Sequence, residues 1–142
     1  MNNYSLENHK VPQGISISLL WASLMGLYVY NDYFSLYRPG TIQNMMDGIM
    51  GPLGPATNGV FITVSMLLAI PAMMIFLSTA LPPVFSRWLN LLLSILYTIV
   101  NALTLKGSPP FYQIVVGLEI ITTVTIFIYA LRWPEENQNA SG

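Results

Sequence analysis

Residues Pro109 to Trp133 read PPFYQIVVGLEIITTVTIFIYALRW, a long apolar run with one carboxylate, Glu119, near its middle. Such a run is long enough to cross a bilayer as a helix. Glu119 lies ten residues past Pro109, so roughly 15 Å along the axis at about 1.5 Å per residue, which predicts a position near the midplane. An ionisable group at that depth costs on the order of 3 kcal/mol on insertion scales, so it needs a partner, a wet cavity or a proton. No basic residue lies within a turn or two of it. The expectation is therefore a neutral acid hydrogen-bonded to Tyr97 or Asn101 of the preceding span, or a site for a proton or ligand.

The rest of the chain forms the wall around that residue. Its 142 residues are 54% hydrophobic and 8% charged, whereas a soluble domain carries about 25% charged residues. A formal charge of −1 without a basic cluster argues against nucleic acid as a partner and against a polybasic lipid-binding patch. There are no cysteines, and the one histidine, His9, sits in a polar N-terminal tail, so no metal and no cofactor is expected. The fold class that follows is all-α, a polytopic membrane bundle of four transmembrane helices forming one domain over 1–142. The predicted spans are 14–37, 57–81, 84–106 and 109–133, with polar tails over 1–13 and 135–142.

The first span is too long for a signal-peptide core and shows no convincing cleavage site, so it is read as an uncleaved helix. Its last turns carry Tyr28, Tyr30, Asn31, Asp32, Tyr33 and Tyr37, a crowding of tyrosines that predicts the headgroup belt. Arg38 and Pro39-Gly40 stop it. From Thr41 to Met50 the apolar residues fall at Ile42, Met45, Met46, Ile49 and Met50, the stripe of a short amphipathic helix lying in the interface. Its alternatives are a lid over the bundle mouth and a plain connector. Pro71 predicts a kink in the second span, and Ser65, Ala69 and Ala72 form a small-residue stripe suited to close helix packing.

The third span separates its polar residues from the rest. Arg87, Asn90, Ser94, Tyr97, Asn101 and Thr104 advance by three and four, which holds them on one helix face. That face should look into the bundle, either to glue helices together or to line a pocket with Glu119. On the fourth span, helical spacing sets Tyr112, Val115, Val116, Thr122, Thr123 and Ile126 beside Glu119. Asp32 and Glu119 are the only acids inside the spans. Asp32 is four residues or so from its helix end, with Arg38 near enough for an interfacial ion pair, the alternative being a hydrogen bond to a neighbouring span.

Several fragments, in this order, carry a resemblance. They are Tyr30-Asn31-Asp32-Tyr33, Leu36-Tyr37-Arg38-Pro39-Gly40, Ile70-Pro71-Ala72-Met73-Met74, Leu77-Ser78 and Leu81-Pro82. Arg87-Trp88 with Asn90, Glu119-Ile120 and Tyr129-Ala130-Leu131-Arg132-Trp133-Pro134 complete the set. Over roughly residues 20 to 134 the chain resembles a family of small bacterial four-helix membrane proteins known only as a domain of unknown function. That resemblance implies the fold and a bacterial inner membrane, and it implies no activity. A glutamate often precedes the Ile-Pro of the second span in that family. Ala69 stands there in this chain, which leaves Glu119 without a second midplane carboxylate.

Alternating the spans puts Lys10, Arg87 and Arg132 on one side and Arg38 and Lys106 on the other. The excess of positive charge predicts both termini in the cytoplasm. Three function classes remain. The first is an accessory or small-ligand-binding membrane protein with a polar pocket around Glu119, Asn101 and Tyr97, and with Asp32 as a further candidate. The second is a small proton-coupled transporter, similar to the small multidrug family in size and in its single buried glutamate, although in that family the acid lies on the first span. The third is a membrane enzyme akin to DoxX-type four-helix proteins, which the absent cysteines and the lack of a nucleophile–base pair disfavour. Besides the lipid bilayer, the partners such an object admits are a second copy of itself and a small apolar or cationic ligand.

Overall fold

The computed structural model describes residues 10–134; nearly all of both predicted polar tails, His9 included, lie outside the described residues. Four long helices are present: α1 (Gln13–Ser35), α3 (Asn58–Ala80), α4 (Pro83–Thr104) and α5 (Pro110–Leu131). A short α2 (Thr41–Met46) and a 3₁₀ turn (Gly51–Leu53) lie between α1 and α3. No strand occurs among the described residues. The long helices have 22 or 23 residues and are apolar enough to cross a membrane, since that length spans about 33 Å or a little more.

Proline sets several of the boundaries. α4 and α5 both open on proline, whose missing N–H is no loss in a first turn that has no intrahelical acceptor. α3 is capped by Thr57, whose Oγ1 accepts from the Val60 N–H at 3.3 Å. α1 ends two residues before the predicted limit, because the N–H groups of Leu36, Tyr37 and Arg38 turn to carbonyls three residues back. Arg38 is thereby carried into the turn. Asp32 has no cation among the charges it feels, so the expected Asp32–Arg38 ion pair does not form.

The helices alternate in direction around a square, α1–α3–α4–α5. Hydrogen bonds show the registers. Gln13 Nε2 donates to the Tyr129 carbonyl at 2.8 Å between α1 and α5, and Thr98 Oγ1 donates to Thr123 Oγ1 at 2.8 Å between α4 and α5. The Ser18 hydroxyl donates to the Ile75 carbonyl between α1 and α3. α1 and α4 run parallel and meet across the square. Ile17, Trp21, Leu24, Met74, Tyr97, Val116, Ile126 and Ala130 are buried between the helices, while Leu92, Ile95, Ile99 and Leu103 of α4 face outward, as its polar stripe predicted.

α3 departs from expectation. Its buried residues are Pro71, Met74 and Ser78, whereas Ser65, Ala69 and Ala72 are all exposed. The small-residue stripe therefore does not make the helix contact. The proline face does, and only over the second half of the helix. The closest approach uses a different small residue: a Cβ on Gly14 would stand 2.8 Å from the Ser78 carbonyl oxygen, so glycine there lets α1 and α3 touch backbone to backbone.

The connector is a self-closed unit. α2 stops at Met46, short of the predicted Met50, because Gly48 takes φ +70° and the Ile49 N–H returns to the Asn44 carbonyl at 2.8 Å. That is a glycine-ended helix terminus satisfying its own last carbonyls. The Met50 N–H bonds the Gly54 carbonyl and the Ala56 N–H bonds the Gly48 carbonyl, at 2.7 and 2.8 Å. No residue of α2 is buried, and Ile42, Met45, Met46, Ile49 and Leu53 all point outward. The connector thus presents an apolar outer surface, with none of α2 buried against the bundle.

Candidate functional site: a buried carboxylate between two asparagines

Two polar clusters lie inside the bundle, one near each end. At the end where α1 begins, Trp21 Nε1 donates to Asn90 Oδ1 at 2.6 Å, and Ser78 Oγ donates to the same oxygen at 3.2 Å. Asn90 Nδ2 donates to the Ser86 carbonyl at 2.8 Å and to Ser86 Oγ at 3.2 Å. Ser86 Oγ in turn donates to the Ser78 carbonyl at 2.9 Å. Every polar end of Asn90 is thus engaged, and α1, α3 and α4 are joined at one point. This node is structural glue, and it leaves nothing over for a ligand.

The second cluster, which holds Glu119, is incomplete. Glu119 is 2% exposed, Asn101 2% and Asn31 4%. They stand on three helices at one level. The Thr98–Thr123 bond fixes the antiparallel register of α4 and α5, so that one turn further on Asn101 is opposite Ile120, next to Glu119. A helical side chain leans toward the N-terminus of its own helix. Glu119 therefore reaches toward the Pro110 end of α5, where it accepts from Asn31 Nδ2 at 3.3 Å. Asn31 is four residues from the end of α1, about 6 Å. The carboxylate is thus served nearer the outer third of the bundle than its midplane.

Neither expected partner hydrogen-bonds to Glu119. The Tyr97 hydroxyl donates to the Leu67 carbonyl of α3. Leu67 is four residues before Pro71, and a proline leaves the carbonyl four residues back without its helical donor; Tyr97 supplies that donor from α4. The Tyr28 hydroxyl donates to Asn101 Oδ1 at 2.9 Å. Tyr28 is accordingly half-buried within the bundle, not part of the tyrosine belt predicted for it, whereas Tyr30, Tyr33 and Tyr37 are exposed as expected.

Two buried atoms of this cluster have no hydrogen-bond partner: the acceptor Asn31 Oδ1 and the donor Asn101 Nδ2. Buried polar atoms are nearly always satisfied, so a pair of orphans beside a buried carboxylate makes this cluster, unlike the one around Asn90, a candidate site. Asp32, exposed at the rim, is within electrostatic reach of Glu119, and Tyr112 lies within reach of both acids. No cation figures among the charges that Glu119 feels. Among the described residues, no three acidic, histidine or cysteine side chains gather in a metal-binding group.

Of the four residues singled out from sequence, the structure brings Glu119 and Asn101 to one level. It sets Tyr97 one turn below them, on other duty, and Asp32 at the rim. Sequence reasoning missed Asn31 and Tyr28, and Trp21 at the other end. A signal for all three exists: Ile17, Trp21, Leu24, Tyr28 and Asn31 advance by four, three, four and three, the same face-forming spacing that made the α4 stripe visible.

Four apolar helices enclosing hydrogen-bonded polar clusters define a small polytopic membrane protein with one buried, under-partnered acid. The chain belongs to the family described as Family of unknown function (DUF6326), which it matches over residues 6–141. No curated protein and no solved structure matches it.

Proposed function

We propose that this is an accessory, small-ligand-binding membrane protein whose site is the Asn31–Asn101–Glu119 cluster. We propose further that the ligand is a small apolar molecule ending in an amine. The observation that carries this reading is the pair of buried orphans, one acceptor and one donor, flanking a carboxylate with no cation in reach. An ammonium head would donate to Asn31 Oδ1 and to the carboxylate, and Asn101 Nδ2 would complete the carboxylate's hydrogen bonds. The rings of Tyr28 and Tyr112 beside it suit a cationic head. An apolar tail would lie among residues already solvated by lipid.

The test is the melting temperature of the detergent-purified full chain, titrated with hexylamine and, in parallel, with hexanol. A hundredfold excess over Kd stabilises by about 2.7 kcal/mol, well within reach of such a measurement. The amine should raise the melting temperature and the alcohol should not, and Glu119→Gln should abolish the difference. Equal responses to the two compounds, or an amine response unchanged by Glu119→Gln, would sink the reading.

A second reading, the small proton-coupled transporter, is favoured by one observation. Pro71 lies inside α3 and leaves the Leu67 carbonyl without its helical donor, and the substitute comes from a single hydroxyl on α4, so α3 carries a point of weakened backbone bonding at which it can bend. In that case a pH gradient across proteoliposomes drives amine uptake in the wild type and not in Glu119→Gln. We place the chain in a bacterial inner membrane with both termini cytoplasmic, on the charge balance of Lys10, Arg87 and Arg132 against Arg38 and Lys106.

A further inference from the structure

We infer that Glu119 and Asn31 form a proton-binding site, in which the acid proton on Glu119 Oε2 is received by Asn31 Oδ1. The inference rests on the same cluster as the proposed function, but it concerns the protein's own groups without any ligand. One half of the pair is in place: Asn31 Nδ2 donates to Glu119 Oε1 at 3.3 Å. The other half is conspicuous as a vacancy in the hydrogen bonding, because Asn31 Oδ1 is buried and faces no donor. A carboxylate is acceptor-only, whereas a carboxylic acid carries one O–H. Protonation therefore supplies the donor that Asn31 Oδ1 lacks. The acid and the amide then close a two-bond ring, with each giving one hydrogen bond and taking one.

The surroundings agree. α1 brings Tyr28 and Asp32 toward Glu119, and α5 itself carries Tyr112; Tyr97 of α4 lies within electrostatic reach of Tyr28. The residues α3 buries are Pro71, Met74 and Ser78, none of them charged. These groups are neutral hydroxyls and one further acid, so a negative charge on Glu119 has nothing positive to meet. When an amine enters as its free base, the proton passes from Oε2 to the amine nitrogen. Carboxylate and ammonium remain as a pair, and the orphaned Asn101 Nδ2 becomes the donor available to the new carboxylate. Binding is thereby proton transfer: the proton first held by Glu119 becomes the ligand's, and the net charge of the site is unchanged.

Infrared spectroscopy of the detergent-purified full chain at neutral pH tests this without any ligand. The wild type should show a protonated-carboxyl C=O stretch that shifts in D₂O, persists in Asp32→Asn and is absent from Glu119→Gln. In Asn31→Leu that band should move to higher frequency, because the acid has lost its hydrogen-bonding partner. Absence of a protonated-carboxyl band from the wild type overturns the inference. So does its loss in Asp32→Asn, or a band that Asn31→Leu leaves unmoved. Should Glu119→Gln fail to fold, the displacement of the band in Asn31→Leu assigns it alone. A band with no amine-induced stabilisation removes the proposed ligand and keeps the proton site. Amine stabilisation without a band does the reverse.

Discussion

Asn90 has no exposed surface and serves four partners: the Trp21 indole, the Ser78 hydroxyl, and the carbonyl and hydroxyl of Ser86. Interhelical hydrogen bonds in membranes average only about 0.6 kcal/mol each, so one bond would not decide much. A single side chain on which several buried groups depend is different, since its removal leaves each of them unsatisfied. Asn90→Leu should cost on the order of 2 kcal/mol, read as a fall in detergent melting temperature. Leu92→Ala, at a position 64% exposed toward lipid, should cost clearly less. Equal losses would show that the node contributes no more than lipid-facing packing. The polar half of this node was legible in the sequence, because Asn90 stands out on an apolar helix. Trp21 was not, because a tryptophan among apolar residues carries no mark of the bond its indole makes.

At the scale of the element, α3 and α4 share a single repair. Pro71 deprives the Leu67 carbonyl of its helical donor, and the Tyr97 hydroxyl provides another. The two substitutions should therefore be strongly non-additive. Tyr97→Phe in the natural background leaves a half-buried carbonyl bare and should cost about 1 kcal/mol. In a Pro71→Ala background the alanine N–H restores the helical bond, and the same Tyr97→Phe change should be nearly neutral. A double-mutant cycle on unfolding free energies measures the coupling, and additive losses would rule the repair out. Sequence reading predicted a kink at Pro71 and an inward face for Tyr97, yet could not join the two residues. Which residue of one helix stands opposite which residue of another depends on register, and register is a property of the packed pair. The same gap led Glu119 to be matched with Tyr97 or Asn101 when its donor is Asn31. With α3, the small residues at Ser65, Ala69 and Ala72 offered a plausible contact face, but the helix docks through Pro71, Met74 and Ser78.

For the whole molecule, the four helices were legible almost to the residue. Lipid-soluble runs of that length have few alternatives, and the breaks between them are proline or glycine. Sidedness rests on three cations against two, and it carries a direct test. A reporter active only in the periplasm should be silent when fused after Trp133 and active when placed in the connector at Gly54. The reverse pattern would invert the assignment, and with it the side from which Glu119 is approached. On the proposed sidedness the Asn31 end of the bundle faces outward, and the proposed ligand would reach Glu119 past Asp32 from that face.

The node around Asn90 draws on α1, α3 and α4 and on no atom of α5. Those three helices are made before α5 leaves the ribosome, so their junction can be complete while the last span is still being synthesised. The expected order is that the helix bearing the buried acid joins last, packing against α1 and α4 together, so that Glu119 meets Asn31 in the same event that closes the bundle.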